Sequence, residues 1–354
     1  MKDDRGVILK VSVALCTYNG EKYIKKQLLS ILQQTRAVDE IIICDDGSND
    51  RTLTICAKIL SDTNVFYKVK HNEKTMGVMR NFQQCFSLCS GDIIFSCDQD
   101  DVWEIHKVEI MMKHFQQQAH ISLIASDAML MDEKDDEMKL SLRESLRFHI
   151  DQEHLMLDNL LRTYCITGAT MAFRKTFYEQ YFYLSNDWLH DGWLAMMAVM
   201  QDGLLFLSEK LTRYRLHGNN ACGVGEIKLL MHGTQKQLHR ANEIDVMKTA
   251  LCKPFYFEDF AKMRMNMYNE VKHQLLKKRC EIHHDYLRKL NDCILFWEKR
   301  SALRHMRYKE CCDMIRYFKK VKAYERYSKS KKLARFDYYF WFVYRCIPRK
   351  KRIR

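Results

Sequence analysis

Proline is almost missing from this chain: there are two in 354 residues, Pro254 and Pro348, and both lie in its last third. Cysteine is plentiful at fourteen but unordered, with Cys311 and Cys312 adjacent and no C-x-x-C pair. That spacing excludes a disulfide framework and reads as free thiols in a reducing compartment. No run of about 18 apolar residues occurs, so a membrane-spanning helix is not expected. Met1 to Lys10 is charged and leads straight into a strand-like run, so no signal sequence is visible. These absences make a cytoplasmic protein the expectation.

With 47% hydrophobic and 29% charged residues the composition is that of a folded protein, which excludes disorder as the default. The net charge of +13 is unevenly placed. Residues 1–225 hold 25 Lys and Arg against 31 Asp and Glu, a net of −6, and residues 226–354 hold 33 against 14, a net of +19. A two-part chain follows: a domain over 1–225 and a basic, mostly helical region over 226–354 that suits an anionic partner such as a membrane surface or nucleic acid.

The first hundred residues alternate as an α/β protein does. Val11 to Cys16 reads as a buried strand, Glu21 to Gln34 has apolar residues at helical spacing, and Glu40 to Cys44 is a second strand. Asp50 to Leu60 (helix), Phe66 to Val69 (strand), Val78 to Cys89 (helix) and Asp92 to Cys97 (strand) complete a β-α-β-α-β-α-β series. Parallel sheets of this kind bind ligands outside the carboxyl ends of their strands. Leu204 to Leu207 reads as a further strand.

Four polar stretches matter in that frame. Asp98-Gln-Asp-Asp101 offers carboxylate oxygens suited to a hard divalent cation beside a bound diphosphate, or is a solvated turn capping the next segment. Asp45-Asp-Gly-Ser-Asn-Asp50 is a tight turn whose Asp can also accept from a base imide or a ribose hydroxyl. Asp191, in His190-Asp-Gly-Trp193, is a helix cap or a general base for an acceptor hydroxyl. In the loop Tyr214 to Asn220, His217 is a surface residue or a metal ligand, and Arg213 and Arg215 are candidates to face phosphate.

Together, Val13-Ala-Leu-Cys-Thr-Tyr-Asn-Gly20, Ile43-Cys-Asp-Asp-Gly-Ser48, Asn81-Phe82, Phe95-Ser-Cys-Asp-Gln-Asp-Asp-Val-Trp103, Ile166-Thr-Gly-Ala-Thr-Met-Ala-Phe173, His190-Asp-Gly-Trp-Leu194 and Tyr214-Arg-Leu-His-Gly-Asn-Asn220 resemble the family 2 glycosyltransferases, in their rhamnosyltransferase-like branch. The resemblance covers roughly residues 9–225. It implies a GT-A, Rossmann-like nucleotide-sugar-binding domain and an inverting, Mg²⁺- or Mn²⁺-dependent transfer from a dTDP- or UDP-sugar to a glycan or lipid-linked acceptor in cell-surface polysaccharide synthesis. Thr17, Tyr18 and Asn81 would line the nucleotide pocket and Asp46 would bond the base. Asp100 would meet the metal, Asp98 the ribose or a metal-bound water, His217 the metal or donor phosphates, and Asp191 would be the catalytic base. One departure stands out: many relatives place Glu where this chain has Gly20.

The basic region ends in an aromatic run from Phe336 and five cations in the last six residues. This reads as a segment lying in an anionic membrane interface, giving a peripheral position at the inner face of the cell membrane, or as a packed C-terminal helix. A nucleic-acid binder would leave the acidic first domain and its strand-end motifs without a role, and a silent scaffold would have no use for the base and both D-x-D acids.

Overall fold

The computed structural model describes residues 8–146, 155–162, 165–185, 187–218, 254–328 and 333–346. The chain divides into two compact units, Met1–Phe148 with Cys165–Ile227, and His149–Tyr164 with Lys228–Arg354. The second unit therefore takes a segment from the middle of the chain as well as its last third, a division that a single boundary at residue 225 misses.

The first unit is built on a nine-stranded mixed sheet with strand order β3-β2-β1-β4-β8-β6-β9-β5 and β7 paired to β6. Its parallel half is β1 (Val11–Thr17), β2 (Glu40–Asp45), β3 (Phe66–His71) and β4 (Ile93–Asp98), separated by the helices α1 (Ile24–Leu32), α2 (Thr52–Leu60) and α3 (Val78–Leu88). Every residue of β1 and β2 is buried, which is why these strands read as near-continuous apolar runs and not as an alternation. Val11, Val13, Leu15, Ile41, Ile43, Ile93 and Phe95 join Ile24, Leu28 and Ile31 of α1 in one core.

The other half holds β5 (Val102–Trp103), α4 (Lys107–Gln117), β6 (Leu123–Met131), β7 (Glu137–Ser141), α5 (Leu142–Leu146), β8 (Met171–Arg174), α7 (Lys175–Tyr181), α8 (His190–Val199) and β9 (Leu204–Arg215), with α6 (Leu155–Arg162) falling in the second unit. Strand β8 runs antiparallel to both β4 and β6. Chain order reverses at β1, since β2 lies on one side of it and β4 on the other. The registers set Cys16 of β1 opposite Cys44 of β2 and Asp98 of β4, so the three strands end together and their loops share one crevice.

Strand β9 is twelve residues long, well past Leu207, and it carries Arg213 and Arg215 as strand residues, not loop residues. Cys16, Cys44, Cys56, Cys85, Cys89, Cys97, Cys165, Cys280, Cys293, Cys311 and Cys312 form no disulfide.

The second unit is helical: α6, α9 (Pro254–Lys277), α10 (His284–Ser301), α11 (Tyr308–Lys320), α12 (Ala323–Tyr327) and α13 (Leu333–Cys346). Leu161 of α6 accepts hydrogen bonds on its carbonyl from Arg264 (3.0 Å) and Tyr268 (2.8 Å) of α9, and Lys289 of α10 pairs with Asp158 at 2.9 Å. Behind them Tyr268, Val271, Phe296, Trp297, Ile315 and Tyr324 are buried. The C-terminal helix is held from within this unit. Asp337 of α13 is fully buried against Arg300, at 3.1 and 3.0 Å, and accepts the Tyr324 hydroxyl at 2.6 Å. Trp341 donates its ring N–H to the Met306 carbonyl at 2.9 Å. The run from Phe336 is thus helical through Cys346, with Asp337 and Trp341 bonded inside the unit, and the cations of 349–354 lie outside the described residues.

Removing one partner of a buried ion pair strands the other charge, at a cost of about 3–5 kcal/mol. Asp337→Ala is therefore expected to lower the denaturant midpoint of the helical unit, and Arg300→Met/Asp337→Leu to recover most of the loss. Urea unfolding of the full chain checks this; an unchanged midpoint in Asp337→Ala would show that the pair does not hold α13.

Candidate active site

The crevice is assembled by side chains that tie strand-end loops to one another. Thr17, the last residue of β1, donates its hydroxyl to Asp45 at 2.6 Å, and its carbonyl accepts the Asp46 N–H at 2.8 Å. Asp45 also accepts from the Ser48 N–H and hydroxyl and faces His71 at 2.9 Å. Burial works to raise the Asp45 carboxyl, but the bonds from Ser48, Thr17 and His71 prevail and hold it below its ordinary value. Asp46 takes the N–H groups of Met76 (2.7 Å) and Gly77 (2.9 Å) and the Asn72 amide (3.1 Å). Asn81 donates to the Cys44 carbonyl at 2.8 Å and accepts from Asn72. Asp46 and Asn81 thus shape the crevice wall through the loop at 72–77, whatever else they touch.

Tyr18 is half exposed, and its backbone is clamped from across the crevice: Gln99 accepts its N–H and donates to its carbonyl, both at 2.9 Å. A Cβ on residue 20 would overlap the Gln99 amide. Gly20 and Gln99 are therefore a matched pair, which explains the departure at that position, and local sequence carries no sign of a contact 79 residues apart.

The acidic loop has three unequal members. Asp98 closes β4 and only part of it reaches solvent; burial, then Asp100 and Asp191, push its carboxyl up to about 8. Asp100 lies 2.8 Å from His217 Nε2, and His217 stacks on Tyr23 with ring centres 5.1 Å apart. Asp101 does not cap a helix. It is 1% exposed and accepts the Arg215 N–H at 2.9 Å, while its second oxygen is buried without a hydrogen-bond partner. Burial, with Asp100 and Asp98, drives its carboxyl well up.

The two arginines both have acidic partners. Arg215 is fully buried, donates to the Asp100 carbonyl at 2.6 Å, pairs with Asp135 at 2.7 Å and lies over Tyr23. Arg213 pairs with Glu104 at 2.7 Å. Arg215 thus braces the acidic loop through Asp100 and Asp101, and Arg213 ties β9 to Glu104 just beyond β5. A cation that sequence reading missed, Lys107, lies buried below, donating to the Ala169 carbonyl and the Thr212 hydroxyl at 2.8 Å each. Burial lowers it to about 8, against the pull of Cys97, Asp101 and Asp98.

Asp191 lies in the first turn of α8, the end at which a helix favours negative charge. Its two oxygens accept the N–H groups of Gly168 (3.1 Å) and Gly192 (2.6 Å), which fix the carboxylate's direction. Next to it His190 is buried, its ring 4.1 Å from that of Phe82. A Cβ on Gly168 would stand 2.7 Å from His190 Nε2, so the loop that holds Asp191 has room only for glycine there.

Among the described residues no three His, Cys, Asp or Glu side chains form a ready-made metal cage. The donors nevertheless fit a hard cation. Asp98 and Asp100 offer carboxylate oxygens, His217 lies against Asp100, the nearby Asp101 has an orphaned buried oxygen, and burial with the Asp100 charge raises the carboxyls of both Asp98 and Asp101. Among the described residues no helix is long and apolar enough to cross a membrane.

Comparison with known proteins bears on the family and the fold. The glycosyl transferase family 2 model matches residues 12–182. An uncharacterized glycosyltransferase of Nostoc sp., alr2836, is 24% identical over 217 residues, 60% of this chain and 66% of that protein. The dTDP-rhamnosyl transferase RfbG of Shigella flexneri is 36% identical over 99 residues, 27% of this chain and 34% of that protein. The chain thus spans less than two thirds of either relative. Among solved structures, S. aureus TarS 1–349 in complex with UDP-GlcNAc superposes with a TM-score of 0.57 at 14% identity, covering 95% of this chain and 89% of that one. By its motifs, its sheet and these matches, the part of the chain over residues 12–182 is a glycosyl transferase family 2 domain with the GT-A fold.

Proposed function

We propose that this chain moves a sugar from a nucleoside-diphosphate donor to a hydroxyl of a glycan or lipid-linked acceptor, with inversion, in cell-surface polysaccharide synthesis at the cytoplasmic side. The observation that carries the reading is geometric. Gly168, whose N–H holds Asp191, stands against Ser96 of β4, since a Cβ on it would lie 3.4 Å from the Ser96 hydroxyl, and β4 ends two residues on at Asp98; a fixed carboxylate thus lies by the strand end that carries the acidic loop. In this reading Thr17, Tyr18, Asp46 and Asn81 form the nucleotide side, and Asp100 and Asp98, with His217, would hold Mg²⁺ or Mn²⁺. When bound, that cation neutralises the diphosphate's charge as the donor bond breaks. Asp191 takes the proton from the acceptor hydroxyl, whose oxygen attacks the anomeric carbon on the face away from the diphosphate.

The name of the Shigella relative makes dTDP-rhamnose the first donor to try, with UDP-hexoses as the second class. The test is nucleoside diphosphate release from a donor panel with Mn²⁺ or Mg²⁺. Release from one donor class is expected; no release from any donor, with or without candidate acceptors, would sink the reading.

Gly168→Ala probes the base's support. The buried His190 ring packs against Phe82 and has little room to give, so the added methyl is expected to displace the Gly168 N–H from Asp191. Misplacing a catalytic group by about 1 Å costs up to about 100-fold, so kcat is expected to fall by about 10- to 100-fold while donor affinity holds. Equal kcat in the variant would show that Gly168 does not position the base.

A further inference from the structure

We propose that α13 and α11 present a face to an anionic lipid surface, with α13 lying in the plane of the interface. Among the described side chains of α13 the exposed ones are Arg335, Tyr338, Tyr339 and Phe342, which fall at i, i+3, i+4 and i+7 and so form one stripe. Phe342 is 62% exposed, and both tyrosines are well exposed too. The same helix turns Ala334 and Asp337 inward. An aromatic stripe left to solvent while the opposite side is pinned by a buried ion pair marks a contact surface, not a gap in the core.

What the stripe fits is decided by its surroundings. Lys319 of α11 lies 5.8 Å from the Tyr338 ring, and Arg316 lies close enough to act on the Tyr338 phenol. Tyr308, also exposed, packs its ring against Trp341 at 5.2 Å. The acids on these two helices are Glu310, Asp313, which pairs with Arg316 at 2.8 Å, and the buried Asp337. Phe rings, amphipathic Tyr rings and flanking Lys and Arg are the makeup of interfacial helices, in which aromatics enter the headgroup layer and cations meet anionic lipid. Residues 226–354 as a whole carry a net +19, which adds attraction within roughly 10 Å at 0.1 M salt. A second copy of the chain fits less well, because a two-fold contact through this face would set Arg335 and Lys319 against their own equivalents. The inference does not depend on the reaction proposed above.

The test is flotation of the full-length protein with vesicles of phosphatidylcholine alone or mixed with phosphatidylglycerol. Wild type is expected to float with the mixed vesicles only, and to be released as salt is raised. Tyr338→Ser/Phe342→Ser and Lys319→Glu/Arg335→Glu, with circular dichroism unchanged, are each expected to bind about tenfold or more weakly. Phe342→Trp, which keeps an aromatic ring, is expected to bind as wild type. Undiminished flotation of both double variants would overturn the proposal, as would equal flotation with phosphatidylcholine alone. So would a wild type that ignores both vesicles and forms a dimer in light scattering that Phe342→Ser dissolves.

Discussion

Asp191→Asn is expected to bind donor as wild type does and to lose transfer. The asparagine matches the carboxylate in size and can still accept one of the two N–H bonds, from Gly168 or Gly192, so the first turn of α8 keeps its place. It cannot take a proton from an acceptor hydroxyl. General-base catalysis contributes about 10²- to 10⁴-fold, and a loss in that range should appear in kcat with little change in calorimetric donor affinity. The split between the two measurements is the informative part. If donor affinity falls with kcat, Asp191 belongs to the donor pocket; if kcat survives, another group removes the proton.

Asp100→Ala is expected to remove the dependence of donor binding on the divalent cation. The substitution deletes the carboxylate that meets His217 and leaves Asp98 as the sole remaining acid of the D-x-D pair. Loss of outer-shell support alone costs a metal site about 10- to 100-fold, and a direct ligand should cost at least as much. Titrating nucleoside diphosphate with and without Mn²⁺ should give a large difference for wild type and a small one for the variant. If both proteins respond equally to Mn²⁺, Asp100 is not a ligand. In that case its contact with His217 serves only to order the loop.

The inner strands of the parallel half were legible because strands buried on both faces must be apolar along their whole length, and Val11 to Cys16 and Glu40 to Cys44 nearly are, whereas the edge strand β3 is exposed throughout. Strand β9 was not, beyond Leu207. There Ser208, Glu209 and Lys210 interrupt the apolar pattern, and the pairing with β6 shifts register at Ser126 and Asp127, so a polar run sits inside a strand. The acids of the crevice could be named from the sequence because each follows a strand or opens a helix. Their supports could not. The partners of Arg215 are Asp135 and Asp101, 80 and 114 residues away, and nothing around Arg215 distinguishes an arginine for phosphate from one that braces a loop. The helical unit's claim on α6 was hidden for the same reason, since Leu161 meets Arg264 and Tyr268 about a hundred residues on.

That last arrangement limits how the protein can be cut. A fragment ending at residue 227 would keep α6 and lose the helices that cover Leu157, Leu160 and Leu161. Begun at residue 228, the complementary fragment would leave Arg264 and Tyr268 without the carbonyl they share. Neither piece is a self-sufficient module, so attempts to express them separately should give aggregation on one side and a loosened bundle on the other. Swapping the basic region between related enzymes would have to carry residues 149–164 along with it.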